Sequence, residues 1–318
     1  MIMNNDIKKL QVKFILGVII IVFAYVIFTI FSDVEKIQDI FSTTMIYDYF
    51  VPIIILFSIS LILRSFIQKN ILKQLGIHLT FKQSFFLFFA GLSMLITPLG
   101  IGQTIKSHFL NKHYGIPYSK SFPLVLAERF YDFISIIILL LITIILTVRN
   151  ESIIVISFST LLLFCILFFT KKKSINILLK QKISSISFLK QRLENYDVMT
   201  DSVSKITKSK NITKILPLVF IAIIIESIVI YLGFLTFKID LNYFESIQIF
   251  YSSLLLGIFS FLPGGVGVTE ASFIKLITNE GLSVPLASSL ILFLRFVTIW
   301  SVSIVGFIFA FSFFKKKK

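Results

Sequence analysis

Cysteine is nearly missing from the chain: Cys165 is the one thiol in 318 residues, so neither an intrachain disulfide nor a thiolate metal site can be built. Histidine is scarce as well. His78, His108 and His113 complete the set, and the five-residue step between the last two turns them to different sides of a helix. They read as solvated or interfacial side chains, with no metal and no cofactor expected. Acidic residues number 16 against 31 basic ones and form no DxD-like cluster. A Walker loop, an HExxH and a GxSxG are absent too, which sets aside an ATP-driven pump with its own motor and the common hydrolytic constellations.

Apolar sequence is what the chain has in quantity. Hydrophobic residues make up 56% and the mean hydropathy is +0.94, values that define an integral membrane protein. The net charge of +15 does not point to nucleic acid, because the basic residues cluster in short segments between apolar runs, as expected of cytoplasmic loops.

Taken in order, Lys8, Lys9 and Lys13 precede an apolar run from Phe14 to Phe31, read as a retained first span leading outward. The acidic loop around Asp33, Glu35, Asp39 and Asp48 is then external, and Tyr49 to Leu63 returns inward, with Arg64, Lys69 and Lys73 marking the exit. Ser84 to Thr97 and Gln103 to Tyr114 flank Pro98-Leu99-Gly100-Ile101-Gly102. Limbs of about 18 to 21 Å are too short to cross twice. A re-entrant hairpin open to the cytoplasm is predicted.

Ser121 to Val148 leads outward and Ile153 to Thr170 inward, ending at Lys171 to Lys173. Residues 171–214 are the one long polar segment. Within it Ile175, Leu179, Ile183, Ile186, Leu189 and Leu193 form a stripe at helical spacing, predicting an amphipathic helix on the inner leaflet or on the cytoplasmic ends of the bundle. Ile215 to Phe237 crosses outward with Glu226 near its middle, and that carboxylate has no evident local partner. Ile247 to Leu262 and Thr269 to Ile277 flank a second break, Pro263-Gly264-Gly265-Val266-Gly267, and Val284 to Phe314 makes the last crossing to Lys315–Lys318.

Both breaks read PxGxG. Gly115 lies 17 residues after Pro98 and Gly281 lies 18 after Pro263, while Arg129 and Arg295 each follow their own glycine by 14. The chain is therefore read as one all-α polytopic domain, 1–318, of two repeats (10–150 and 151–318, the latter including the linker 171–214). Three crossings per repeat invert the second relative to the first. On this topology 25 of the 31 basic residues are cytoplasmic, as are both termini of a multi-pass cell-membrane protein. Inverted repeats with broken helices place a transport site near the midplane.

The candidate site follows from the breaks. Free N–H groups and positive dipole ends after Gly102 and Gly267 suit an anion, although glycines also permit close helix packing. Arg129 and Arg295 occupy equivalent places and suit bidentate contacts to phosphate. Asp132, one turn on, offers Arg129 a structural partner instead. Glu270 either balances Arg295 or responds to protonation. The candidate set is Pro98, Gly100, Gly102, Gln103, Lys106, Arg129, Asp132, Pro263, Gly265, Gly267, Thr269, Glu270 and Arg295.

The segments TPLGIGQTIKSHFL, LAERFYD and FLPGGVGVTEAS resemble the signatures of the lysylphosphatidylglycerol synthase transmembrane-region family, the flippase-like domain proteins, over about Leu10 to Phe314. The resemblance implies movement of lipids between leaflets, notably aminoacylated phosphatidylglycerol, or links to glycolipid and glycosylation pathways. It does not extend to the soluble aminoacyl-transferase domain of full-length synthases. Gln103 stands where the family usually has glutamate and Thr269 where it often has arginine, so head-group preference does not carry over.

The expectation is a flippase-like protein, not an enzyme, whose partner is a membrane phospholipid or lipid-linked phosphate. Two alternatives stand beside it. One is a membrane-embedded transferase in lipid-linked glycan or glycolipid synthesis, with Glu270 or Asp132 as base. The other is an accessory protein that recruits a separate synthase or glycosyltransferase through residues 171–214.

Overall fold

The structure is a computed structural model describing residues 46–97, 102–147 and 208–315, with isolated positions at 157, 198, 201–202 and 204–206. The expected spans Phe14 to Phe31 and Ile153 to Thr170, the stripe from Ile175 to Leu193, and the site candidates Pro98 and Gly100 lie outside the described residues. Among those described, every regular element is helical.

A π turn, Ile46–Phe50, leads into α1, Val51–Gln74. The helix does not end at the predicted exit charge Arg64: no proline or glycine follows Pro52 until Gly76, so it continues past Lys69 and Lys73. Arg64 consequently sits in mid-helix. α2, Phe81–Leu92, starts at a reciprocal cap in which Thr80 Oγ1 accepts from the Gln83 N–H and Gln83 Oε1 accepts from the Thr80 N–H at 2.8 Å. After the first break come α3, Ile105–Tyr114, a short α4, Tyr118–Ser121, and α5, Pro123–Thr147.

The second half echoes this order. α6 spans Ser209–Thr236, and α7, Tyr243–Phe259, opens with the same kind of cap from Asn242 and Glu245. A 3-10 turn at Pro263–Gly265 leads to α8, Val268–Asn279. α9, Val284–Arg295, passes through a π turn, Phe296–Trp300, into α10, Ser301–Lys315. The expected long final helix is thus interrupted by one wide turn directly after Arg295.

Four described stretches are long and apolar enough to cross a membrane: Tyr47–Gln74, Tyr118–Thr147, Lys210–Thr236 and Val284–Phe311. α2 and α7 have 12 and 17 residues, about 18 and 26 Å at ~1.5 Å per residue, short of a ~30 Å core.

Packing crosses between the halves. α1 lies along α6, α2 packs on α10, and α7 packs on α5. The short limb entering each break therefore rests on the long helix that follows the other break. A shared core of Leu72, Leu87, Leu110, Leu124, Ile223, Phe234, Leu255, Phe273 and Leu290 joins both halves, and the outward faces remain apolar, as at Ile55, Ile145 and Ile308.

Candidate functional site

The second break lies beside the end of the limb that enters the first. Gly264 has φ 60°, and a Cβ there would stand 3.5 Å from the Ile96 carbonyl oxygen, just before the first break. Gly265 and Gly267 also have positive φ, 67° and 88°, a region that side chains with a Cβ adopt only with strain. Across the first break the Gly102 N–H donates to Thr97 Oγ1 at 2.6 Å, tying the two sides of the turn.

Beside the first break α3 carries a buried cation. The Lys106 side chain is fully buried, donates from Nζ to Glu128 Oε2 at 2.7 Å and lies 5.1 Å from the centre of the Phe88 ring. Its stem runs over Gly91 of α2, where an added Cβ would overlap it. Gln103, just before α3, and Ser107, four residues on within it, are each 1% exposed, and Gln103 Nε2 and Ser107 Oγ have no hydrogen-bond partner. Glu128 keeps a second, unpartnered oxygen, Oε1. Two buried donors close to Lys106 in sequence, and one oxygen of its carboxylate partner, are thus unused.

From Glu128 the charged groups continue along α5. Arg129 meets Asp132 Oδ2 with Nη2 at 3.3 Å, while Asp132 Oδ1 accepts from Arg64 Nη1 at 2.6 Å. The other edge of the Arg64 guanidinium grips Glu226, Nε to Oε1 and Nη2 to Oε2 at 2.8 Å, and Ser60 Oγ donates to the same carboxylate at 2.6 Å. Lys106 is within electrostatic reach of Arg129 and Asp132, and Tyr251 of Glu226 and Arg64. Three cations and three carboxylates form one continuous node on α1, α3, α5 and α6. Within it Arg129 is the least committed: its side chain is 41% exposed and its Nε has no partner.

At the second break the charges are reversed. The hairpin contributes the carboxylate, Glu270 on α8, and the following helix contributes the cation, Arg295 on α9. Arg295 Nε donates to Glu270 Oε1 at 2.7 Å, Arg295 Nη2 donates to the Gly264 carbonyl at 2.8 Å, and the Gly267 N–H donates to Glu270 Oε2 at 2.7 Å. Both side chains are at most 1% exposed. Thr269 is fully buried against Gly257 and Gly265 with Oγ1 unpartnered, so a longer side chain there requires α7 to move.

The structure thus joins Gln103, Lys106, Arg129 and Asp132 around the first break, and Pro263, Gly265, Gly267, Thr269, Glu270 and Arg295 around the second, with Gly102 at the turn. Asp132 does pair with Arg129, and Glu270 does balance Arg295. Glu226 has the partner that sequence reasoning did not find. Arg64 was passed over as a membrane-exit charge, together with Ser60. The available signal was the apolar series Ile67, Ile71 and Leu72 beyond it, which continues the buried face of a helix. Among the histidines, His108 Nδ1 lies 3.0 Å from the Tyr118 hydroxyl.

Long apolar helices, two glycine breaks too short to span, and an interior of paired charges define a polytopic helical membrane protein. The chain belongs to the lysylphosphatidylglycerol synthase transmembrane-region family, whose model matches residues 14–306. Two relatives from Methanothermobacter thermautotrophicus (strain Delta H), each described as a UPF0104 membrane protein, are similar in part. One is 36% identical over 87 residues, covering 27% of this chain and 26% of the relative. The other is 28% identical over 100 residues, 31% of this chain and 30% of the relative. The chain therefore matches less than a third of the length of either. No solved structure matches.

Proposed function

We propose that the protein binds the phosphate of an anionic phospholipid or lipid-linked head group and carries it between leaflets, with Arg129 making the first contact. The observation that carries this reading is the state of Arg129, a cation within a membrane span, partly exposed, with one loose carboxylate contact and donors to spare. An intramembrane arginine is costly to hold and marks a pathway more often than a packing residue, and its planar fork suits two phosphate oxygens. Gln103 Nε2 and Ser107 Oγ add buried donors at the start of α3, where the helix dipole favours negative charge. Arg295 reaches a phosphate only by releasing Glu270. Acyl chains stay against the apolar outer faces throughout.

Reconstitution tests the proposal. Purified protein in liposomes containing labelled anionic lipid accelerates its transfer between leaflets, and Arg129→Gln slows that transfer about 10- to 100-fold, the loss expected for a charged hydrogen bond of ~1.5–3 kcal/mol. Arg129→Lys falls between, because the charge stays and the fork is lost. No acceleration with any lipid of the native membrane, or full rates in Arg129→Gln, refutes it.

The same reading treats the halves as inverted repeats, supported by the exchange of packing partners between them. Single cysteines replacing the exposed residues Lys112 and Asn279 in a Cys165→Ser background then react with an impermeant maleimide from opposite sides. Labelling of both from one side overturns the inverted arrangement.

A further inference from the structure

The two breaks share a sequence pattern but not the same surroundings. At the first, no acidic residue stands in the opening turn of α3, and the nearby donors Gln103 Nε2 and Ser107 Oγ are unpartnered. At the second, an anion is already in place. The Glu270 carboxylate accepts from the Gly267 N–H at the start of α8 with one oxygen and from Arg295 Nε with the other, each at 2.7 Å. Arg295 is in turn held by the Gly264 carbonyl at 2.8 Å. The neighbouring Thr269 hydroxyl is fully buried and unpartnered. A peptide N–H at a helix start and a buried guanidinium, both directed at one carboxylate, are the donor set of an oxyanion site.

We infer that the second break is an anion site filled by the chain's own carboxylate, Glu270, and that removing this side chain uncovers a latent site for a small monocarboxylate. The physical basis is the buried cation. Arg295 is 1% exposed, and a guanidinium buried that deeply requires a counter-charge. When Glu270 is shortened to alanine, the atoms lost correspond to one molecule of acetate. The space, the Gly267 N–H and the Arg295 guanidinium remain. A second consequence rests on the proposed function: the protein takes one external phosphate at a time, at the first break, because the second is satisfied internally.

The test uses the full chain in detergent. Glu270→Ala melts well below the wild type, and sodium acetate, titrated against sodium chloride at constant ionic strength, restores most of the lost melting temperature saturably. The wild type does not respond. Glu270→Gln, which fills the space without charge, is destabilised and also does not respond. Nor does the double variant Glu270→Ala/Arg295→Gln, which lacks the cation. Absence of an acetate effect in Glu270→Ala, or an equal effect in the double variant, overturns the inference. If Glu270→Ala is recovered poorly, membranes are solubilised with and without acetate and the monodisperse fraction is measured. An unchanged fraction refutes the site, and an acetate-dependent rise supports it. Lipid transfer plays no part in this readout, so its failure and that of the proposed function remain distinguishable.

Discussion

Replacing Arg64 with methionine is expected to destabilise the protein by about 3–5 kcal/mol, the range for removing one partner of a buried ion pair. The side chain is 18% exposed and satisfies two carboxylates that are themselves 17% and 13% exposed, Glu226 and Asp132. Methionine keeps much of the stem volume, so the loss is chiefly electrostatic. Glu226 then retains the Ser60 hydroxyl, and Asp132 retains the long contact from Arg129. Neither replaces a bidentate guanidinium. Adding Glu226→Gln to Arg64→Met removes one of the stranded charges, and the pair is expected to be more stable than Arg64→Met alone, with a coupling of about 0.5–3 kcal/mol. Equilibrium unfolding in mixed micelles measures both. An Arg64→Met variant within about 1 kcal/mol of wild type shows that water reaches the node and the charges are solvated.

Gly306→Val is expected to cost about 1–3 kcal/mol or more through overpacking. Gly306 lies on the face of α10 that meets the end of α2. A Cβ there would stand 2.7 Å from the Leu92 carbonyl carbon and 2.9 Å from the Phe89 carbonyl oxygen. Both are backbone atoms and cannot rotate aside as a side-chain tip would. Valine therefore pushes α10 away from α2, and the ring contacts of Phe309 with Phe86 and Phe89, at 5.2 and 5.0 Å, open with it. Small residues permit close backbone approach where lipid gives helices no hydrophobic reason to associate. The control is Ile304→Ala on the exposed side of the same helix, at 58% exposure, expected within about 0.5 kcal/mol. A Gly306→Val variant no less stable than Ile304→Ala would show that the α2–α10 contact yields without cost.

The membrane class, the two breaks and most helix positions were legible along the chain, because each depends on local properties. Apolar run length decides whether a segment can span. Proline and glycine decide where it breaks. The polar caps Thr80 with Gln83, and Asn242 with Glu245, mark helix starts at short range. Local rules also misled. A charge after an apolar run does not end a helix: beyond Arg64 it continues for ten further residues to Gln74. The pairs Arg129 with Asp132 and Arg295 with Glu270 were legible at short range, whereas the partners of Glu226 and Lys106 were not. Arg64 and Glu226 are 162 residues apart.

The repeated PxGxG pattern and the arginines at matching distances were determined by the sequence alone, and they mark the region that is proposed to hold an anion. Which of those groups are committed elsewhere was decided by tertiary packing alone. Arg129 and Arg295 are equivalent in sequence. Packing leaves the first partly exposed beside one distant carboxylate oxygen and encloses the second between Glu270 and the Gly264 carbonyl. The reason is physical: a charge in a low-dielectric interior takes its properties from its nearest counter-charges, and packing decides both how closely those approach and, as for Arg64 and Glu226, which distant helix supplies them.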